Sequence, residues 1–264
     1  MKYFLLFWVI LISVGTVNAQ AALRTEVVEY KHGDVVLEGY LAYDDAVKGK
    51  RPSIIVVHEW WGLNPYARMR TGQLAKLGYI AFAIDIYGKG VRAKDPAEAG
   101  TLSGIYTGNR PLMRSRANAG LEVLRNHPLA DVNRIAAIGY CFGGTVVLEM
   151  ARSGAELAGV VSFHGGLSTP NPSDAKNIKG KVLVLHGADD PAVPPDQVIA
   201  FQDELRKAGV DWQMVSYGGA VHSFTNPDAG NDPSKGAAYN EKADKRSWEA
   251  MKTPKRPIHF SHIQ

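Results

Sequence analysis

The chain has one cysteine, Cys141, set in the stretch IGYCFGG from Ile138 to Gly144, directly after an apolar run. A glycine two places before and two places after a reactive side chain is the pattern of a nucleophile elbow, here with cysteine in the nucleophile's place. A strand must turn sharply into a helix at such a point while presenting one side chain. Gly139 and Gly143 have no Cβ to obstruct the turn, and Gly144 lets the helix pack close. A free cysteine is commonly a small buried core residue. In this turn it reads instead as a nucleophile.

A thiol nucleophile needs a base, and the base needs an orienting acid. HGADDP offers Asp189 or Asp190 after one apolar run, and GGAVHSF offers His222 after the next. Alone, each has a plain structural reading, because aspartates before prolines cap turns and single histidines are often framework. Together, in the order nucleophile, acid, histidine, they follow the order of the α/β-hydrolases.

The elements that must position these residues alternate. TEVVEYK and VVLEGYLAY, separated by His32-Gly33-Asp34, predict an antiparallel hairpin. Ile54 to Val57 are continuously apolar, as in a strand buried on both faces. Asn64 and Pro65 suit a helix start, and that helix runs to about Leu77 before Gly78. YIAFAIDIYG is a further buried strand, and a helical region spans roughly Pro96 to His127. Then come strand RIAAIG, a helix from about Gly143 to Ala151, strand AGVVSFHG, strand KVLVLHG, a helix near Pro195 to Ala208, strand VDWQMVSY and a last helix from about Ala237 to Met251. This alternation predicts an α/β class with a mostly parallel twisted sheet of about eight strands and helices on both faces. Sites in such sheets form beyond the carboxyl ends of the strands. Glu59, Tyr87, Cys141, Asp190 and His222 all follow apolar runs.

The 264 residues are 45% hydrophobic and 21% charged, with a formal charge of +4. That is an ordinary globular composition, and residues 20–264 are expected to form a single domain. One cysteine cannot make an internal disulfide. Residues 1–19 read as a signal peptide: Lys2, an apolar run from Tyr3 to Val14, and small residues around Ala19. The run is shorter than the about 20 residues that a membrane-spanning helix needs. The alternative is a retained anchor. A periplasmic or secreted protein without a stable membrane anchor is expected, and the tail after Met251, with two prolines, is expected to be loose. No nucleic-acid motif accompanies the basic stretches, no GxGxxG or P-loop points to a nucleotide, and no paired histidine spacing points to a metal. No cofactor and no metal are expected, and the protein is expected to be a monomer.

The residues resemble the dienelactone hydrolase family, cysteine-dependent members of the α/β-hydrolase fold. The resemblance spans essentially the whole mature chain and rests on HEWWGLN, AIDIYG, GYCFGG, HGADDP, VHSF and AAYNEKADKRSWEAM. It implies nucleophile Cys141, acid Asp190 and base His222. It also implies that Glu59 contacts the resting thiol and helps switch it to thiolate, and that the backbone N–H groups of Trp60 and Phe142 form the oxyanion hole. Each such donor contributes about 3 kcal/mol to transition-state stabilisation. Glu59 also stands out on physical grounds, since a buried carboxylate beside a thiol shares its proton balance with the sulfur. The alternative for Glu59 is an ion pair with Arg68 or Arg70.

Two departures from the family bear on the substrate. Where the family holds a substrate carboxylate with two arginines, this chain has Lys89 and Asn226. Lysine supplies a point charge without the bidentate fork, and asparagine supplies no charge. A substrate other than dienelactone, or one less charged, is therefore expected. Trp60, Trp61 and Tyr87 suggest an aromatic pocket wall, or else ordinary core packing. His58, His164 and His186 end strands and read as hydrogen-bonded framework. The expected function is an exported hydrolase of a small ester or lactone, through an acyl-thioester on Cys141. The alternative is a redox-responsive or ligand-binding thiol protein without turnover.

Overall fold

The unbroken apolar run Ile54 to Val57 lies in strand β3 (Arg51–Val57), which is covered on both faces. Ile55 and Val57 enter one apolar cluster, and Ile54 and Val56 enter the other. The computed structural model describes residues 23–252, so the predicted signal segment and C-terminal tail lie outside the described residues. Strands β1 (Leu23–His32) and β2 (Val35–Asp44) form the predicted antiparallel hairpin. Strand β4 (Ile80–Ile84) pairs antiparallel with β2 and parallel with β3. Strands β5 (Ala130–Tyr140), β6 (Gly159–Phe163), β7 (Lys181–Gly187) and β8 (Trp212–Tyr217) continue the sheet in parallel. The order is β1-β2-β4-β3-β5-β6-β7-β8. The chain leaves β3 to one side for β4 and reaches its other side at β5. This reversal opens a crevice at the carboxyl ends of β3 and β5.

Helices cover the two faces. Helix α1 (Pro65–Lys76) sits on one side, with Leu74 in its apolar cluster. Asn64 caps it by accepting from the Ala67 N–H at 3.1 Å. The expected helical region from Pro96 to His127 is two helices, α2 (Pro96–Thr107) and α3 (Arg110–Arg125). The break has a local cause. The Asn109 side chain accepts from the Leu112 N–H at 3.1 Å, and Pro111 sits in the first turn of the new helix. The same cap-and-proline signal starts α1. Helices α4 (Phe142–Arg152) and α5 (Pro195–Ala208) cover the face shared with α3, and α6 (Glu241–Lys252) lies with α1.

Helix α6 begins later than the expected Ala237. Residues before it are paired elsewhere: the Ala238 N–H donates to His222 O at 3.0 Å, and the Gly236 carbonyl accepts from the His222 N–H at 3.2 Å. Among the described residues no helix is long and apolar enough to cross a membrane.

Helix α4 seats directly on β3. A Cβ added at Gly143 would stand 2.3 Å from the Val57 carbonyl oxygen, a backbone atom that cannot swing aside. At Gly100, within α2, the same Cβ would meet only open space. Gly143→Ala is expected to cost about 1–3 kcal/mol by overpacking, a fall in Tm of about 2–4 °C for each kcal/mol. Gly100→Ala is expected to add about 0.5–1 kcal/mol by restricting the unfolded chain. Thermal denaturation of the two variants followed by circular dichroism checks the opposite signs.

Candidate active site

Strand β5 ends at Tyr140 and α4 begins at Phe142, so Cys141 alone makes the turn between them. Its backbone lies at φ 55, ψ −119, a region that costs a non-glycine residue about 1–3 kcal/mol. The glycines permit this. A Cβ on Gly139 would lie 2.0 Å from the Gly143 carbonyl oxygen. The Cys141 N–H is held by two acceptors on the neighbouring strand end, Phe163 O at 3.0 Å and His164 Nδ1 at 3.1 Å.

The side chains predicted to act with Cys141 converge on it. His222 Nε2 stands 3.1 Å from Cys141 Sγ, and His222 Nδ1 stands 2.8 Å from Asp190 Oδ2. Nδ1 faces a carboxylate and so keeps its proton, while Nε2 shares a second proton with the sulfur. Asp190, not Asp189, is the partner. Its second oxygen accepts from the Ala192 N–H at 2.9 Å, whereas Asp189 accepts from the Gly219 N–H. Burial by itself would lower the pKa of His222. The charges on Cys141 and Asp190 and their hydrogen bonds outweigh it and hold the imidazole well above its usual range.

Glu59 follows β3 and is 1% exposed. Asn226 Nδ2 donates to Glu59 Oε2 at 2.5 Å, while Asn226 Oδ1 accepts from the Asp228 N–H at 3.0 Å. The second bond fixes which way the amide faces. Burial pushes Glu59 up to about 7, against hydrogen bonds from Asn226 and Ser223 and the charge on His222 that favour its ionised form. The two arginines considered as its partners are engaged elsewhere: Arg68 with Glu38 at 3.5 Å, and Arg70 with Asp244 at 2.5 Å. The sulfur itself meets His222.

Three framework histidines were expected near the site, and two of them fix its backbone. His58 is fully buried. Its Nε2 accepts from the Ile86 N–H at 3.2 Å, so its Nδ1–H donates to Glu59 O at 2.6 Å and fixes the Glu59–Trp60 turn. Burial lowers its pKa to about 4. His164 is also buried, which keeps it well below the usual imidazole range, with help from the charges on His222 and Arg70. With Nδ1 accepting from Cys141, its Nε2–H donates to Thr225 Oγ1 at 2.7 Å, and Thr225 Oγ1 lies 2.6 Å from the Tyr66 hydroxyl. No local motif marks Thr225, Tyr66 or Ser223 as site residues. The one available signal was that His164 ends a strand beside the elbow. The third, His186, is buried, and among the described residues its Nδ1 meets no partner.

Cys141 and His222 open into a cavity of about 690 Å³ lined also by Trp60, Trp61, Ser223, Asn226, Asp228 and Lys235. Two predicted pocket residues lie elsewhere. Tyr87 is buried behind the wall: its hydroxyl donates to Trp60 O at 3.0 Å and its ring packs on Phe142 and Tyr106. Lys89 is exposed on the hairpin side and pairs with Glu29 of β1. Its place after β4 points it along the sheet's outer edge, which spacing alone could not reveal. Phe142 is the first residue of α4, so its N–H has no intrahelical acceptor. Among the described residues, no group of three or more His, Cys, Asp or Glu side chains is arranged to hold a metal ion.

Of residues with positive φ among those described, the non-glycine ones are Cys141, His164 and Ser223, all at this site. Strain of that kind persists only where the surroundings impose it, and it gathers at functional sites.

Comparison with known proteins gives the family. The dienelactone hydrolase family model matches residues 37–254. A solved dienelactone hydrolase-like promiscuous phosphotriesterase from metagenomic libraries is 43% identical, with a TM-score of 0.83 over 87% of this chain and 96% of its own. A second solved structure, designated m3DLH, is 43% identical with a TM-score of 0.84 over the same shares. A candidate carboxymethylenebutenolidase of Aquifex aeolicus is 28% identical over 228 residues, 85% of this chain and 94% of its own. The chain belongs to the dienelactone hydrolase family and is a carboxylic ester hydrolase.

Proposed function

We propose that the protein cleaves a small carboxylic ester or lactone through Cys141, with His222 as general base and Asp190 as the acid that orients it. The observation that carries this reading is the unbroken line Asp190–His222–Cys141, with separations of 2.8 and 3.1 Å, at a strained elbow facing a cavity. His222 takes the thiol proton as Sγ attacks the carbonyl carbon. The oxyanion that forms is met by the N–H groups of Phe142 and Trp60. His222 then protonates the departing alcohol, leaving an acyl-thioester on Cys141. A water deprotonated by His222 attacks the thioester, and the acid leaves. Asp190 keeps the imidazole in the required tautomer and stabilises its charged form.

Burial holds the Glu59 carboxyl with its pKa near neutrality, so small changes around it shift its proton. In this reading Asn226 and Ser223 hold that carboxyl, and Asn226 is committed to Glu59 rather than to a substrate carboxylate. This favours a substrate that is uncharged near the scissile bond. Residues 1–19 direct export, which places the protein in the periplasm or the medium. The likeness to a promiscuous phosphotriesterase favours a secondary activity on aryl phosphotriesters. Release of 4-nitrophenol from diethyl 4-nitrophenyl phosphate, at a lower kcat/KM than from a carboxylic ester, checks it.

Cys141→Ala is expected to lower kcat/KM for 4-nitrophenyl butyrate by about 10³-fold or more, because the covalent route is lost. Turnover unchanged in that variant would end the thiol mechanism. Glu59 gives a separate expectation, on stability. Its pKa rises from 4.5 in the unfolded chain to about 7 in the fold, so the native state retains a proton that the unfolded state has released. The contribution is full below pH 4.5, falls as pH climbs to about 7, and is level above that, a loss of about 3 kcal/mol. Glu59→Gln keeps an acceptor for Asn226 and removes the titration. Urea unfolding from pH 4 to 8 is expected to show wild-type stability falling relative to the variant across that window. A constant difference would disprove the shift.

A further inference from the structure

A second groove, of about 950 Å³, is lined by residues of β1, β2 and α1 together with Trp61 and Arg92. Trp61 and Asn64 line both this groove and the catalytic cavity, so the two spaces adjoin across one indole and the start of α1. The groove has its own chemistry. Its floor and walls include Met69 and Leu23, apolar side chains that are 41% and 38% exposed. Its charged lining residues are Arg68, Lys76 and Arg92, and none is acidic.

The partners of those cations matter. Arg92 gives Nε to Leu63 O at 2.6 Å and one terminal nitrogen to Val91 O at 2.7 Å, which locks its guanidinium in place without a carboxylate. Arg68 meets Glu38 at a long 3.5 Å, with its guanidinium over the Tyr40 ring. Lys76, in the last turn of α1, is exposed and in no ion pair among the described residues. Arg92 stands beside Trp61, whose carbonyl accepts from the Ala93 N–H at 3.1 Å, and Arg68 is on the first turn of α1, so positive charge is incompletely neutralised at the Trp61 end of the groove; Lys76 lies eight residues, about 12 Å, further along the helix. The catalytic cavity itself is lined by Lys235 and Asp228, with charges that offset each other.

We infer that this groove is a second subsite of the hydrolase, taking the distal part of an extended ester: an apolar chain passing Trp61 and ending in an anionic group between Arg68 and Arg92. The inference rests on the ester-hydrolase reading of the Cys141 site and adds a substrate class to it. A neutral reacting end suits the pocket around Asn226, and an anionic far end suits the groove. Short neutral esters fill only the first space.

The probes are the mono-4-nitrophenyl ester of suberic acid and its methyl-capped diester, which match in length and differ in the terminal charge. The monoanion is expected to show a KM about tenfold lower, equivalent to about 1.4 kcal/mol. That preference is expected to shrink as salt is raised from 20 mM to 500 mM. Two variants test the location. Arg68→Gln removes charge and keeps most of the stem, and is expected to bring the two esters to within twofold of each other. Gly72→Phe fills the groove from α1, where an added Cβ would sit 3.7 Å from Leu23 Cδ2, an ordinary contact. It is expected to raise KM for both long esters relative to 4-nitrophenyl butyrate. Equal KM for the charged and capped esters in the wild type, or a preference that survives Arg68→Gln, would overturn the subsite. Calorimetric binding of both esters to Cys141→Ala protein reads the same preference without turnover. A failed chemical mechanism would therefore show as unchanged butyrate hydrolysis in that variant, separately from the charge preference.

Discussion

The site depends on how closely two pieces of backbone approach each other at the end of β5. Gly139 and Gly143 meet with no room for a Cβ on either, and α4 begins against the carbonyl of Val57. This compression turns the chain within one residue and forces Cys141 to positive φ. The strain is held in place by the sheet. The Cys141 N–H bonds to the end of β6, so the elbow cannot relax without breaking a contact with its neighbouring strand. A sulfur fixed this way projects beyond the sheet and beside the first N–H of a helix, where the helix dipole favours negative charge.

The polar residues around the sulfur divide by charge. His58 and His164 are buried, held neutral, and used as hydrogen-bond struts: one fixes the Glu59–Trp60 turn, the other holds the amide of Cys141. Arg70 puts its charge on Asp244 and gives further N–H groups to Tyr66 and the Thr225 carbonyl. Positive charge beside the sulfur is thereby left to His222, whose imidazole is raised by the sulfur and by Asp190 despite its burial. Glu59 stands apart as a carboxyl that burial brings near neutrality, clamped by a side-chain amide where the family resemblance implied an arginine.

The loop after β8 supplies the moving parts of this arrangement in sequence terms: His222, Ser223, Thr225, Asn226, Asp228 and Lys235. It contains little regular structure, yet it is tied down. His222 bonds through both its N–H and its carbonyl to the Gly236–Ala238 segment, and Asn240 accepts from the Ala243 N–H to start α6. One loop thus positions His222, holds Glu59 and forms a wall of the cavity, so a change in its length would alter all three at once.

Much of this was legible in the sequence because it follows from local physics. Continuous apolar runs marked strands buried on both faces, Asn64-Pro65 marked a helix start, and three glycines around a cysteine marked a turn that only small residues allow. Asn109-Pro111 carried the same helix signal as Asn64-Pro65, and divides a region that reads as one helical stretch. Other features depended on distance in space between residues far apart in the chain. Lys89 faces Glu29 and Tyr87 lies behind the wall because the hairpin packs against the end of β4. Asn226 reaches Glu59, and Thr225 reaches His164, only because the loop after β8 folds back over β3 and β6. The sequence alone determined the fold class, the elbow and the order of the reactive residues, since periodicity and glycine placement act over a few residues. Tertiary structure decided which aspartate meets His222, what holds Glu59 and where the groove runs, because side-chain pairing across the sheet depends on how the chain closes in space.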